Sequence, residues 1–101
     1  MSTGSVVVGD FINFRCQIFD QQGNFACVFG TGILSIPKHV FVDSDDNILV
    51  PCDGAIQVFK SDGTHLKTIG KGVIGDASGV SMDLTGRIFV TDRKLDTIFV
   101  F

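Results

Sequence analysis

Shifted against itself by about forty positions, this chain of 101 residues repeats its own punctuation. Phe19 falls on Phe59, Gly23 on Gly63, Gly30 on Gly70 and Gly32 on Gly72. Further along, Val40 falls on Val80, Asp43 on Asp83, Ile48 on Ile88 and Val50 on Val90, and no gap is needed from the first pair to the last. Turn glycines and strand residues that coincide at one offset require a unit that is built more than once. Whatever one unit folds into therefore sets the architecture of the whole.

The fullest unit runs from His39 to Gly70. Its apolar runs are Val40–Val42, Ile48–Val50, Ile56–Phe59 and His65–Ile69, separated by Asp43–Asn47, Asp53–Gly54 and Ser61–Gly63. Short β-branched or aromatic runs bounded by Asp, Asn, Gly and Ser are strands joined by turns, and no stretch has helical periodicity. The Asp53–Gly54 pair predicts a type I′ hairpin, whose two central residues need positive φ. The glycines in general are expected at positive-φ turns. Pro37 closes the connecting stretch Ile33–Lys38, just ahead of a strand, where its missing N–H costs least.

The two ends match each other. Val8–Gly9–Asp10 followed by Gln17–Ile18–Phe19 parallels Val90–Thr91–Asp92 followed by Phe99–Val100–Phe101; in the middle unit the same connection is about two residues shorter. With the strands of one unit lettered A to D, the chain reads B–C–D over 6–29, a full blade A–B–C–D over 40–69 and A–B–C over 80–101. Four-stranded units at this period are propeller blades. The expected fold is all-β: a partial β-propeller of about two and a half four-stranded antiparallel blades, with 1–101 forming one propeller segment. A propeller ring takes 4 to 8 blades. The expectation is that remaining blades of a longer chain, or self-association, close it.

Composition sets the outer limits. Hydrophobic residues make up 45% and charged residues 19%, enough apolar material for one small core. The net charge of −3 argues against a nucleic-acid footprint over the whole surface but leaves room for a basic patch. Three cysteines, Cys16, Cys27 and Cys52, with no C-x-x-C pair, point to free thiols in a reducing compartment, and the expected location is cytoplasmic. The first nine residues have no signal-peptide pattern, and no apolar run approaches the roughly 18 residues of a membrane span, so no membrane partner is expected.

The order of residues resembles the NHL-repeat β-propellers. Pro37, Asp43, Asp83, Gly86, Val90, Asp92, Asp10, Asn13, Arg15, Phe19, Gly23, Phe29 and Gly30 stand where that family has its Pro, Asp, Gly, Val-x-Asp, Asn-x-Arg and Phe-Gly positions. The resemblance runs from about Val6 to Phe101. The chain has no Trp, so the Trp-Asp dipeptide of WD40 propellers is absent. The middle unit departs from the pattern, with Cys52 in place of the Asp and no Asn-x-Arg. The last keeps Asp92 but has Leu95 and Thr97 where the first has Asn13 and Arg15. Only the first unit keeps a candidate Asp10–Arg15 pair.

This resemblance implies a non-enzymatic protein-interaction module like the C-terminal propeller of tripartite-motif NHL proteins. There the propeller forms the substrate-binding end of a ubiquitin ligase whose RING lies elsewhere. The alternative it implies is an RNA-binding propeller surface. Some NHL-type propellers are lyases with a metal at the hub, but His39 and His65 have no partner at ligand spacing. No catalytic residue, cofactor or metal is expected. Asp43, Asp45, Asp46 and Asn47 begin like a calcium loop, but Ile48 and Gly54 stand where such a loop needs Gly and Glu, so a solvated turn is expected.

Propeller topology sorts the charges. The B–C and D–A loops share one face, which carries Arg15, Lys38, Lys71, Arg93 and Lys94 against Asp10, Asp53, Asp76, Asp92 and Asp96. The other face carries Lys60 and Arg87 against Asp20, Asp43, Asp45, Asp46, Asp62 and Asp83. The first face is neutral by count, whereas RNA binding draws on a positive surplus. Phe19, Phe29, Phe41, Phe59, Phe89, Phe99 and Phe101 fall on strands and are expected in the packing between blades. Phe11 and Phe14 lie in the first B–C loop, where they either fold back over the adjacent blade or form a contact patch beside Arg15. The candidate partner-binding residues are Phe11, Phe14, Arg15, Lys38, Lys71, Arg93 and Lys94.

Overall fold

A strand covered on both faces needs apolar side chains throughout its length, not at every second position. In the computed structural model, which describes Met1 to Phe101, the middle of the chain meets this condition. Ten strands run in chain order: β1 (Val6–Asp10), β2 (Arg15–Phe19), β3 (Phe25–Phe29), β4 (Phe41–Val42), β5 (Ile48–Cys52), β6 (Ala55–Phe59), β7 (His65–Ile69), β8 (Ala77–Met82), β9 (Ile88–Asp92) and β10 (Thr97–Val100). They form three antiparallel sheets ordered β1-β2-β3, β4-β5-β6-β7 and β8-β9-β10. The chain is all-β, in agreement with partial propeller blades. The one helical piece is a 3₁₀ turn at Phe11–Asn13, which the strand pattern does not announce.

Every residue of β5 is buried, and so is all of β6 except the half-buried Gln57. Alternate side chains serve two separate cores. Ile48, Val50, Cys52 and Phe59 face Cys16, Ile18 and Phe29 of the first sheet. Leu49, Ile56 and Val58 face Val80 and Val90 of the third. Each core also receives a plug from a connecting loop. Gly30 and Gly70, with φ of 84° and 81°, turn the chain so that Leu34 enters the first core and Ile74 the second. A Cβ on either glycine would stand 2.4 or 2.3 Å from the plugging side chain, so only glycine fits.

The repeat is written in the backbone as well. Leu34 N–H donates to Gly30 O at 2.8 Å and Ile74 N–H to Gly70 O at 2.9 Å, while Asp43 and Asp83 N–H donate to Asn47 and Arg87 O, both at 3.0 Å. Register shifts fall at Ile18/Phe19 and again at Val58/Phe59.

Several expectations need correction. β4 has two residues, not three, because Pro51 lies in β5. The Pro51 carbonyl accepts Lys38 N–H at 3.4 Å, so the ring nitrogen faces the same side and offers no donor for a longer β4. The Asp53–Gly54 turn is not type I′: Asp53 has φ of 48°, but Gly54 is not in the left-handed region. Glycine is needed there for close approach, since a Cβ would lie 3.0 Å from Ile74 O. Gly9, Gly75 and Gly79 also lack positive φ. Phe89 lies on the outer side of β9 under the Arg87 guanidinium, 5.7 Å from its carbon, whereas the Phe101 ring reaches Gly70 of the middle unit.

Phe59 is fully buried, with its ring edge-on to Phe29 at 4.9 Å. Phe59→Ala is therefore expected to cost about 3–5 kcal/mol in urea unfolding. Leu84→Ser, at a fully exposed turn position, should stay within about 0.5 kcal/mol. Equal losses would mean that the core is not where the structure has it.

Candidate functional site

The connections after β1, β3, β5, β7 and β9 leave the sheets at the same end, and all seven candidate contact residues lie there. Carboxylates hold this end together. Asp10 closes β1, and its Oδ2 accepts from Asn13 Nδ2 at 3.0 Å, Gln17 Nε2 at 3.2 Å and Arg15 Nε at 3.3 Å. The Asp10–Arg15 pair expected from the first unit is thus present, and Asn13 and Gln17 reinforce it. The Asn13 amide first, then Arg15 and Gln17, hold the Asp10 carboxyl below its ordinary range against a burial effect.

Asp92, the repeat equivalent of Asp10, works by a different route. It is buried, and its oxygens accept backbone N–H groups of Gly75 at 2.6 Å, Lys94 and Leu95 at 3.0 Å, and Asp76 at 3.1 Å. Burial pushes its carboxyl up, but the four backbone donors outweigh it and leave the carboxyl lowered. One side chain thereby ties the β7–β8 loop to the β9–β10 loop. In the middle unit, where Cys52 replaces the Asp, the tie is made by Asp53: its carboxylate accepts Ser35 Oγ–H and its carbonyl accepts Ala77 N–H, both at 2.6 Å.

On this frame the candidates fall into groups. Lys38 is half-buried and paired with Asp76. Arg93 Nε lies 3.8 Å from the other Asp76 oxygen, and its N–H donates to Asp76 O at 3.0 Å. Lys94 lies along Gly75, where a Cβ would meet its stem at 3.1 Å. Lys71 is exposed, lining a shallow hollow of about 350 Å³ with Ser35, Asp53 and Gln57. Phe11 and Lys38 meet across an open groove of about 390 Å³ lined also by Val7, Val8, Pro37 and Val40. Phe11 is 58% exposed and Phe14 50%, and Phe11 borders the groove opposite Pro37 and Val40 of the next unit. Phe14 caps the 3₁₀ turn in the left-handed region at φ 53°, uncommon for a bulky side chain.

Two participants were not singled out from the sequence. Ile12, between the two aromatics, is 74% exposed. Asp76 entered the sequence reading only as one of the face's charges, yet it receives two of the basic side chains. At the opposite end, the acidic residues serve their own turns. Asp43 and Asp83 each accept two backbone N–H groups at 2.9 Å, and Asp20 does the same at 2.8 and 3.0 Å. The Asp43 carboxylate is thus engaged in a turn, which is how the sequence pattern reads. His65 Nε2 bonds Gln57 Oε1 at 2.8 Å, on an outer strand. Cys16 is buried, and desolvation first, then its proximity to Cys52, pushes its thiol up to about 12; Cys52 is raised by burial too. Neither thiol is a nucleophile at neutral pH.

These geometries lead to two tests. The Asp20, Asp46, Asp62 and Asp83 carboxyls are also lowered, by the Asn24 N–H, the Ser2 hydroxyl, the Thr64 N–H and the Thr85 hydroxyl respectively. Unfolded Asp titrates near about 3.9. Below that pH the unfolded chain binds more protons than the folded one, so the stability these groups supply is present above about pH 4 and is lost as pH falls through their lowered values. Urea midpoints measured from pH 7 to pH 2.5 should hold steady and then drop, and a flat profile contradicts this. At Phe14, glycine removes left-handed strain worth about 1 kcal/mol. Phe14→Gly should therefore leave stability unchanged or raise it, whereas a clear loss would show that the ring is there for packing.

No protein-family model matches the chain. It is similar to the protein brain tumor of Drosophila melanogaster, 28% identical over 105 residues, covering 95% of this chain. The matched region is 10% of that protein, so the chain spans about a tenth of the relative's length.

Proposed function

We propose that the chain is a non-enzymatic protein-interaction module of the NHL propeller type, comparable to the substrate-binding end of a tripartite-motif ubiquitin ligase. It engages its partner through the β1–β2 loop. The observation that carries this reading is the presentation of Phe11, Ile12 and Phe14. Three large apolar side chains stand in solvent on a short loop, one of them in a left-handed conformation, while four polar side chains brace the base of the loop. A strained, exposed aromatic on a braced loop is poorly explained by stability and well explained by contact. The groove beside Phe11, with Lys38 on its rim, offers a partner both an apolar floor and a charge.

Lys71, Arg93 and Lys94 form the outlying part of this surface. RNA is the alternative ligand, and the ion pairs weigh against it. Arg15 is tied to Asp10, and Lys38 and Arg93 share Asp76, leaving Lys71 and Lys94 with no ion pair. Two free cations are a small footing for counterion release. The buried, neutral thiols are in keeping with the cytoplasmic location we propose.

Peptides selected against the chain from a displayed random library provide the probe. Replacing Phe11 and Phe14 by Ala should weaken the selected peptides at least about tenfold, as for aromatic hot spots. Arg93→Glu with Lys94→Glu should produce a smaller loss. Peptides that bind the double Ala variant as tightly as the original chain would remove the loop from the proposal. Binding of oligouridine that weakens steeply with salt would favour RNA instead.

A further inference from the structure

In the first unit, polar side chains fill the mouth of the inner hairpin: the Asp10 carboxylate takes Asn13 Nδ2, Arg15 Nε and Gln17 Nε2. Strand register locates the same positions in the middle unit. Val8 pairs with Gln17 and Asp10 with Arg15, as Val50 pairs with Gln57 and Cys52 with Ala55. Asp10 thus corresponds to Cys52, Arg15 to Ala55 and Gln17 to Gln57, and Asn13 has no counterpart in the shorter turn. The middle unit has lost the carboxylate and the guanidinium but keeps one donor that served the carboxylate. Gln57 is the one residue of β5 and β6 that is not buried. Its Oε1 accepts Thr68 Oγ–H at 2.7 Å and bonds His65 Nε2 at 2.8 Å, and its amide nitrogen has no partner in the chain. The hollow of about 350 Å³ beside Lys71 is lined by Cys52, Ala55 and Gln57, so it occupies the space this exchange leaves. Every residue around it falls between Ile33 and Ile74, inside the chain.

We propose that this hollow takes the carboxylate of a Glu or Asp side chain from an extended peptide, in the place that Asp10 fills in the first unit. The proposal rests on the reading of the chain as a protein-interaction module and names one residue class of its partner. The Gln57 amide and the Lys71 ammonium, which has no ion pair, are the donors. Both border the apolar Ile33 and Ile74, so a ligand that covers them removes water, and an ionised acceptor then holds them more strongly than a neutral one. Asp53 selects a peptide over a free anion. Its Oδ2 takes Ser35 Oγ–H at 2.6 Å, and its other oxygen has no partner. A bare anion has no proton for that oxygen and is repelled by it, whereas a peptide brings backbone N–H groups along with its carboxylate. In the last unit the loss is the reverse. Phe99, paired with Val90, stands where Gln57 does, and Asp92 keeps the carboxylate, so only the middle unit has the donor without its acceptor.

Peptides selected against the chain from a displayed random library are the probe, with binding read by fluorescence anisotropy. Replacing each acidic residue of a peptide by its amide, Glu by Gln and Asp by Asn, should reveal a position whose change weakens binding at least about tenfold. Gln57→Leu and Lys71→Met should each weaken the original peptide and reduce the cost of that amide replacement, the coupling expected of a direct contact. Lys71 is exposed, so Lys71→Met keeps the fold and decides even if Gln57→Leu does not fold. Peptides without an acidic residue overturn the inference, and so does an amide replacement that costs the same on the variants as on the unaltered chain. If such peptides are still weakened by Phe11→Ala with Phe14→Ala, the module reading stands and the hollow alone is wrong. A library that yields no binding peptide overturns both. Inorganic phosphate at matched ionic strength should leave peptide binding unchanged, and displacement by phosphate would replace the peptide site with a simple anion site.

Discussion

The β5–β6 pair is the element on which the structure depends, because it is packed from both sides at once. A sheet buried on one face can shift its register and still find a solvated surface for its polar set. A sheet buried on both has no such freedom, since a one-residue slip exchanges the two apolar sets between unlike neighbours. Ile48, Val50 and Phe59 fit the first sheet, and Leu49, Ile56 and Val58 fit the third. The hairpin joining them is correspondingly tight. Its two-residue turn is shorter than the four-residue connections at Asp10–Arg15 and Asp92–Thr97, and Gly54 lies against the Ile74 carbonyl.

Around this pair, the loops at one end are joined by short polar ties that differ from unit to unit. Three side-chain donors converge on Asp10, four backbone donors on Asp92, and Ser35 and Ala77 on Asp53. The repeat therefore conserves a mechanical task, fastening each inner hairpin, while changing the chemistry that performs it. This is why the loops can diverge. The first projects two aromatics and an isoleucine, the middle one projects almost nothing, and the last projects basic side chains beside Asp76.

The strands and the tight turns were legible because they repeat. A glycine at φ near 85° has the same reason to exist in each unit, so offset matches reveal it. Features that depend on tertiary approach were not legible. The conformation at Asp53–Gly54 yields to the Ile74 carbonyl, which arrives from 20 residues further along the chain. Pro51 shortens β4 because its ring nitrogen offers that strand no donor, and which neighbour the nitrogen faces is set by a pairing that no local pattern encodes. The pairing of Lys38 with Asp76 spans 38 positions and two units, so a charge count alone sees two opposite charges but not that each occupies the other. The exposure of Phe11 and Phe14 was equally hidden, since a four-residue loop has no periodicity from which to read a buried side.

The two cores share a sheet but not a single residue. Apart from polar ties at one end, such as Lys38 with Asp76, what lies between them is the thickness of one β-strand pair, β5 and β6. The protein then behaves as a laminate with a stiff centre ply. Within the chain, each outer sheet packs on this pair through one core. In a chain of this kind the sequence of the centre ply is held by two neighbours, and the sequence of each outer ply by one. That leaves the outer plies freer to vary, and the Phe11–Phe14 loop grows from one of them.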